Sequence, residues 1–162
     1  MKKTKKLVFA SLMAAIICIA TMLIKIPVPQ TGGYVNLGDG IIIIAGVILG
    51  PLYGGLASAI GSALADLFAG YATYAFFTFI IKGLMGAAVG YIVKKASILN
   101  VIMAGVVSEV IMVFGYFIAE AVFMGFGLGA LGAVFGNAIQ GIFGIIISAI
   151  LFPVVDKIKI KG

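Results

Sequence analysis

The sequence predicts an all-α integral membrane protein, a single domain over residues 1–162. It would have six transmembrane helices, both termini in the cytoplasm, and the first loop as an extracellular lid. Three observations predict this. The chain is 64% hydrophobic and 10% charged, whereas a soluble domain carries about 25% charged residues. Its uncharged runs approach the ~20 residues a helix needs to cross a bilayer. All eleven basic residues are lysines, and most sit at the ends of those runs. That placement reads as membrane topology rather than as a nucleic-acid surface.

The first run, Leu7 to Ile24, follows MKKTKK and holds 18 residues without charge. Signal-peptide cores span about 7–15 residues, so a retained helix over 7–24 is expected. Next comes KIPVPQTGGYVNLGDG, Lys25 to Gly40, with two of the four prolines and four glycines. Proline removes a donor and glycine permits φ > 0, so an irregular loop is expected. The run Gly40 to Ala65 is interrupted by GPLYGG. Pro51 suits the first turn of a helix but not its interior, which divides the run into helices over 40–49 and 51–69. A fourth helix is expected over 72–93, ending at Lys94-Lys95, a fifth over 98–124 and a sixth over 128–155.

Charge placement supports this division. With six crossings, Lys2, Lys3, Lys5, Lys6, Lys94, Lys95, Lys157, Lys159 and Lys161 all fall on one side. The positive-inside rule assigns that side to the cytoplasm. A single crossing over Gly40 to Gly70 would instead put Lys94-Lys95 outside. Small residues recur four apart: Ala10 and Ala14, Gly46 with Gly50 and Gly54, Ala57 with Gly61 and Ala65, Gly86 and Gly90, Gly132 and Gly136. Such faces let helices approach closely in lipid. Most are read as internal packing, but Ala10 and Ala14 equally suit a partner helix.

Ionisable groups at membrane depth are expensive and need a partner or a task. The candidates are Asp66, Lys82, Glu109 and Glu120. Lys82 lies roughly 18 Å, and Glu109 roughly 14 Å, from the cytoplasmic ends of their helices. A structural Lys82–Glu109 pair is one reading; neutralisation of Lys82 by Asp66 is another. Asp66, Glu120, Tyr74, Asn137 and Gln140 fall in the outer half, beneath the loop that carries Tyr34 and Asn36. Aromatic walls with a few placed polar groups are what a small-molecule site needs. Tyr71 is read as an interfacial anchor, and Asp39 as a cap of the second helix.

These stretches resemble the substrate-binding (S) component of energy-coupling factor (ECF) transporters, along essentially the whole chain. The carriers are FASLMAA with Ala10 and Ala14, GYVNLGD, GVILGPLYGGLASAIGSALADL and FIIKGLMGAAVGYI. The resemblance implies a high-affinity binding subunit in the plasma membrane of a prokaryote, multi-pass and without enzymatic activity or cofactor. It implies a membrane coupling protein (T component), contacted by Ala10 and Ala14, and two cytoplasmic ATPase subunits. It also implies delivery of a vitamin by toppling of the S component in the membrane. Within the family the chain looks closest to the riboflavin, pyridoxine and hydroxymethylpyrimidine branch. A hydroxymethylpyrimidine- or pyridoxine-like heterocycle is the expected ligand. Riboflavin stays open, and Lys82 leaves a monocarboxylate such as pantothenate open. The expected substrate-binding residues are Tyr34, Asn36, Asp66, Tyr74, Lys82, Glu120, Asn137 and Gln140.

Two other function classes compete. A stand-alone secondary transporter or channel would work without an ATPase module, but GPLYGG has no clear counterpart in the second half, where GFGLGALG comes nearest. An intramembrane aspartyl protease would use Asp39 of NLGD with Asp66. A histidine-metal site is excluded because the chain has no histidine.

Overall fold

The computed structural model describes residues 3–95 and 97–157, so Lys2, Lys159 and Lys161 of the basic ends lie outside the described residues. Helix α1 (Lys3–Leu23) leads into a hairpin of β1 (Lys25–Val28) and β2 (Gly33–Asn36). Then follow α2 (Asp39–Phe68), α3 (Ala72–Ile92) and α4 (Ile98–Ile118). A π-helical turn (Ala119–Phe123) continues α4, and a 3-10 turn (Gly127–Ala130) opens into α5 (Leu131–Lys157).

Among the described residues, five helical segments are long and apolar enough to cross a membrane. Their outward faces are apolar too: Phe76, Phe114 and Phe135 are 67%, 63% and 74% exposed. Large aromatic side chains facing outward on three different helices suit hydrocarbon as the surrounding solvent.

Helix α2 is broken rather than straight. Gly50 has φ 74 and ψ −175, a conformation nearly confined to glycine. Pro51 follows and opens the second arm, where a missing N–H removes no helical hydrogen bond. The break lies between the segments 40–49 and 51–69 read from the sequence. Beyond it the chain turns back on itself. A Cβ added to Gly54 would stand 2.8 Å from the Cα of Gly46. In a straight helix those positions would be ~12 Å apart. Asp39 and Asp66, which begin and nearly end α2, therefore come to the same end of the molecule.

Glycine makes this compact hairpin of arms possible against α3. A Cβ at Gly46 would meet the Gly86 carbonyl oxygen at 2.7 Å, and one at Gly55 the Gly83 carbonyl oxygen at 3.0 Å. The core beside this contact is apolar, with Ile42, Ile43, Met85, Val89 and Met112 fully buried.

The segment expected to be irregular is a short antiparallel ribbon, with Lys25 opposite Asn36 and Val28 opposite Gly33. Its turn closes through hydrogen bonds from the Thr31 and Gly32 amides to the Val28 carbonyl, with Gly32 at φ 68. A two-stranded ribbon has only edge strands, so Pro27 is tolerated within β1. The ribbon rests on α5 at Gly132 and Gly136, where a Cβ would meet Gln30 at 2.7 Å and Val35 at 3.3 Å. That glycine pair thus seats the hairpin, whereas the spacing alone suggested helix packing.

Gly50→Ala tests the reversal. The site has open space, so only backbone strain opposes the substitution. It should destabilise the protein by about 1–3 kcal/mol. Gly129→Ala, equally open and without positive φ, should leave the melting temperature in detergent unchanged.

Candidate functional site

Beneath the hairpin a small cavity of ≈ 20 Å³ is enclosed by residues from all of the helices. That is about the space of one water, so side chains fill most of the site. Tyr34, Asn36, Asp66, Tyr74, Lys82, Glu120, Asn137 and Gln140 all line it. The structure thus brings the eight residues singled out from the sequence to one place. Thr21, Thr78 and Tyr116, which the sequence reading did not select, line it as well.

A buried ion pair forms the floor. Lys82 Nζ on α3 donates to Asp39 Oδ1 at the start of α2, at 2.5 Å. Both side chains are essentially inaccessible. Gln140 Nε2 on α5 donates to the other oxygen, Asp39 Oδ2, at 2.6 Å. Gln140 Oε1 then accepts from the Asn36 backbone amide at 2.6 Å. The Asn36 side-chain oxygen accepts from the Gly38 amide at 2.8 Å, which tightens the turn into α2. One continuous chain of polar contacts therefore links α3, α2, α5 and the hairpin.

This arrangement corrects two sequence readings. Asp39 was expected to cap α2, but the cap position is Gly38 and no side-chain cap bond forms. The Asp39 carboxylate is used by Lys82 and Gln140 instead. Leaving a buried ammonium unpaired costs far more than leaving one N-terminal amide without a cap. The partner of Lys82 was expected to be Glu109 or Asp66, and it is Asp39. Glu109 lies beside the pair, wedged against Gly141 and Gly144 of α5, with neither carboxylate oxygen hydrogen-bonded. Asp39 and Asp66 engage different partners, so they do not form the carboxylate dyad that a protease needs.

The roof is aromatic. Tyr34 OH on β2 donates to Asp66 Oδ1 at 2.6 Å. Tyr34 packs on Tyr71, ring centroids 4.5 Å apart. Burial, and then the adjacent Asp66 carboxylate, push the Tyr34 phenol well above its ordinary range, so it remains a donor. Tyr74 OH lies 2.9 Å from the Thr31 carbonyl and 3.1 Å from Glu120 Oε1. Its single proton serves one of these at a time. Glu120 is carried by the π-helical turn that follows α4. Thr78 and Tyr116 hydroxyls share a hydrogen bond of 2.9 Å, and Lys82 Nζ stands 5.5 Å over the Tyr116 ring. Asn137 is buried at the cavity wall.

Ala10 and Ala14 lie elsewhere. Both are buried against the arm 51–68, where a Cβ on Gly61 would strike the Ala14 carbonyl. They also floor an apolar groove of ≈ 460 Å³ walled by Leu7, Leu56, Ile60 and Leu64.

A membrane helix bundle with a closed polar chamber under a hairpin has the architecture of a small-molecule-binding subunit. The fold matches that in the structure described as the S component of a bacterial ECF transporter. The TM-score is 0.75 at 20% identity, covering 98% of this chain and 99% of that one. It also matches the crystal structure of FolT bound with folic acid, TM-score 0.65 at 18% identity, covering 91% and 88%. By sequence, a family profile described as "ECF-type riboflavin transporter, S component" matches residues 1–157, and the chain belongs to that family. It is 39% identical over 142 residues to an uncharacterised protein of Pyrococcus woesei, covering 87% of this chain and 95% of that one. It is 29% identical over 157 residues to the thiamine precursor transporter HmpT of Lactococcus lactis subsp. cremoris, covering 96% and 90%. The family is one of transporter binding subunits, not of enzymes.

Lys82→Met leaves Asp39 buried without its counter-charge and should destabilise the protein by about 3–5 kcal/mol. Adding Asp39→Asn should restore a large part of that loss. Thermal unfolding in detergent of both single variants and the double variant checks this.

Proposed function

We propose that this chain binds a vitamin or vitamin precursor with high affinity outside the cell and delivers it as the S component of an ECF-type ABC transporter. The observation that carries the reading is the gathering of buried polar side chains from four helices under one hairpin, in an otherwise apolar bundle of this family. The preferred ligand is a hydroxymethylpyrimidine- or pyridoxine-like heterocycle. Small aromatic rings suit the Tyr34, Tyr74 and Tyr116 walls, with Tyr71 packed against Tyr34. The likeness to a thiamine precursor transporter supports the same choice.

In this reading the chain crosses a prokaryotic plasma membrane six times, with arms 39–49 and 51–68 as separate crossings and both termini cytoplasmic. The hairpin is the extracellular lid. A ring-sized ligand needs more space than ≈ 20 Å³, so Tyr34 moves off Asp66 as ligand enters. Lid opening therefore exchanges the Tyr34–Asp66 and Tyr74–Thr31 contacts for contacts with ligand. The coupling protein packs on the groove floored by Ala10 and Ala14, and two ATPase subunits drive delivery through toppling in the membrane.

The first test is mass spectrometry of small molecules released when the purified protein is denatured, followed by calorimetry against a vitamin panel. A stoichiometric heterocycle is expected, and Tyr74→Ala or Asn137→Ala should weaken its binding at least tenfold, about 1.4 kcal/mol. Uptake into cells should require an active ATPase module. Uptake that persists with an inactive module would favour a stand-alone transporter and overturn this assignment.

A further inference from the structure

Around the cavity and its floor stand Asp39, Asp66, Glu109 and Glu120, four of the chain's five acids. None is more than 5% exposed. Lys82 is the one basic residue lining the cavity among those described. Its charge is matched by Asp39 at 2.5 Å. The ammonium therefore has little attraction left for an anion, although its remaining N–H groups can still donate to a neutral acceptor.

Two carboxylates keep one oxygen each in reserve. Asp66 Oδ1 accepts from Tyr34, while Asp66 Oδ2 is buried with no hydrogen-bond partner in the protein. Glu120 Oε1 lies beside Tyr74 OH, while Glu120 Oε2 is likewise buried and unpartnered. The Thr78 and Thr31 hydroxyls stand near Asp66 and Glu120 respectively, but Thr78 is engaged with the Tyr116 hydroxyl, and Asp66 Oδ2 and Glu120 Oε2 have no partner at hydrogen-bond geometry. A buried acceptor without a donor costs about 1–3 kcal/mol, more when charged. Both residues line the same cavity from different elements, α2 and the π-helical turn.

We propose that Asp66 and Glu120 select a ligand rich in N–H donors, neutral or cationic, such as an amino-substituted nitrogen heterocycle, and that the site rejects carboxylate and phosphate ligands. The selection rests on the cavity being the substrate site proposed above. A ligand amino group or protonated ring nitrogen supplies the donors that Asp66 Oδ2 and Glu120 Oε2 lack. An anion would meet two carboxylates, Asp66 and Glu120, in a chamber whose one base is already paired with Asp39. The same carboxylates bear on the lid: Asp66 holds it through Tyr34 on β2, and Glu120 competes with the Thr31 carbonyl of the hairpin for the single Tyr74 proton. Ligand charge and lid closure are thus read by the same two side chains.

The test is calorimetry on the full-length protein in detergent with two matched pairs. One pair is 4-amino-5-hydroxymethyl-2-methylpyrimidine and its 4-oxo analogue. The other is pyridoxamine and 4-pyridoxic acid, which carry an ammonium or a carboxylate on the same ring. In any pair that binds, the amino compound should bind at least about tenfold tighter. Asp66→Asn and Glu120→Gln, which keep side-chain shape, should bring that ratio towards one. Equal or tighter binding of 4-pyridoxic acid overturns the selectivity while leaving the substrate site in place. A ratio unchanged in both variants also overturns it. Failure of all four compounds to bind overturns the selectivity, and failure of the vitamin panel as well overturns the substrate-site reading with it. The wild-type comparison decides the matter even if a variant does not fold.

Discussion

The Lys82–Asp39 ion pair is the contact on which the site depends. Each charge alone would be prohibitive at this depth in a membrane. Together, with Gln140 on the second carboxylate oxygen, they form a satisfied unit that three helices must share. Asp39 stands in the first turn of α2, where the helix dipole also favours a negative charge. Because Gln140 accepts from the Asn36 amide, the hairpin is tied to this unit by its backbone rather than by exchangeable side chains. The inner edge of the hairpin is therefore anchored. Its contacts through Tyr34 and Thr31 rest on single hydrogen bonds that a ligand donor or acceptor can replace.

That floor exists only because the chain reverses at Gly50. Without the break, the ~27 residues between Asp39 and Asp66 would hold them ~40 Å apart, on opposite faces of a bilayer. With it, one acid supports Lys82 from below and the other receives Tyr34 from above. The reversal in turn needs glycines on both arms and on α3, since ordinary side chains would push the backbones apart. Packing by small residues and the placement of charge are thus one design problem in this fold. The small-residue faces lower the separation between helices, and the short separation lets a lysine on one helix reach an aspartate on another.

The site was largely legible before folding, for a specific reason. A chain this apolar has few polar residues, and every polar residue at membrane depth is conspicuous. Tyr34, Asn36, Asp66, Tyr74, Lys82, Glu120, Asn137 and Gln140 stand out in this way, and they meet at one cavity. Asp39 was misread because an acid before an apolar run has a local explanation as a cap, which hid its longer-range partner. Tyr116 and Thr78 were passed over because single hydroxyl-bearing residues on apolar helices carry no spacing signal. The hairpin was missed because its strands are short and hold a proline and glycines, so local preference argued against them.

By itself the sequence determined the class of solvent, the apolar segments and the point where α2 must break. Those follow from composition, from bilayer thickness and from the stereochemistry of glycine and proline, all of which act locally. Only the tertiary structure decided which acid neutralises Lys82, which glycines seat a hairpin rather than a helix, and which carboxylate oxygens are left free. Such outcomes depend on distances between residues about 30 to 100 positions apart in the chain. Periodicity along one helix gives the face on which a side chain lies, but not the group that meets it across the bundle.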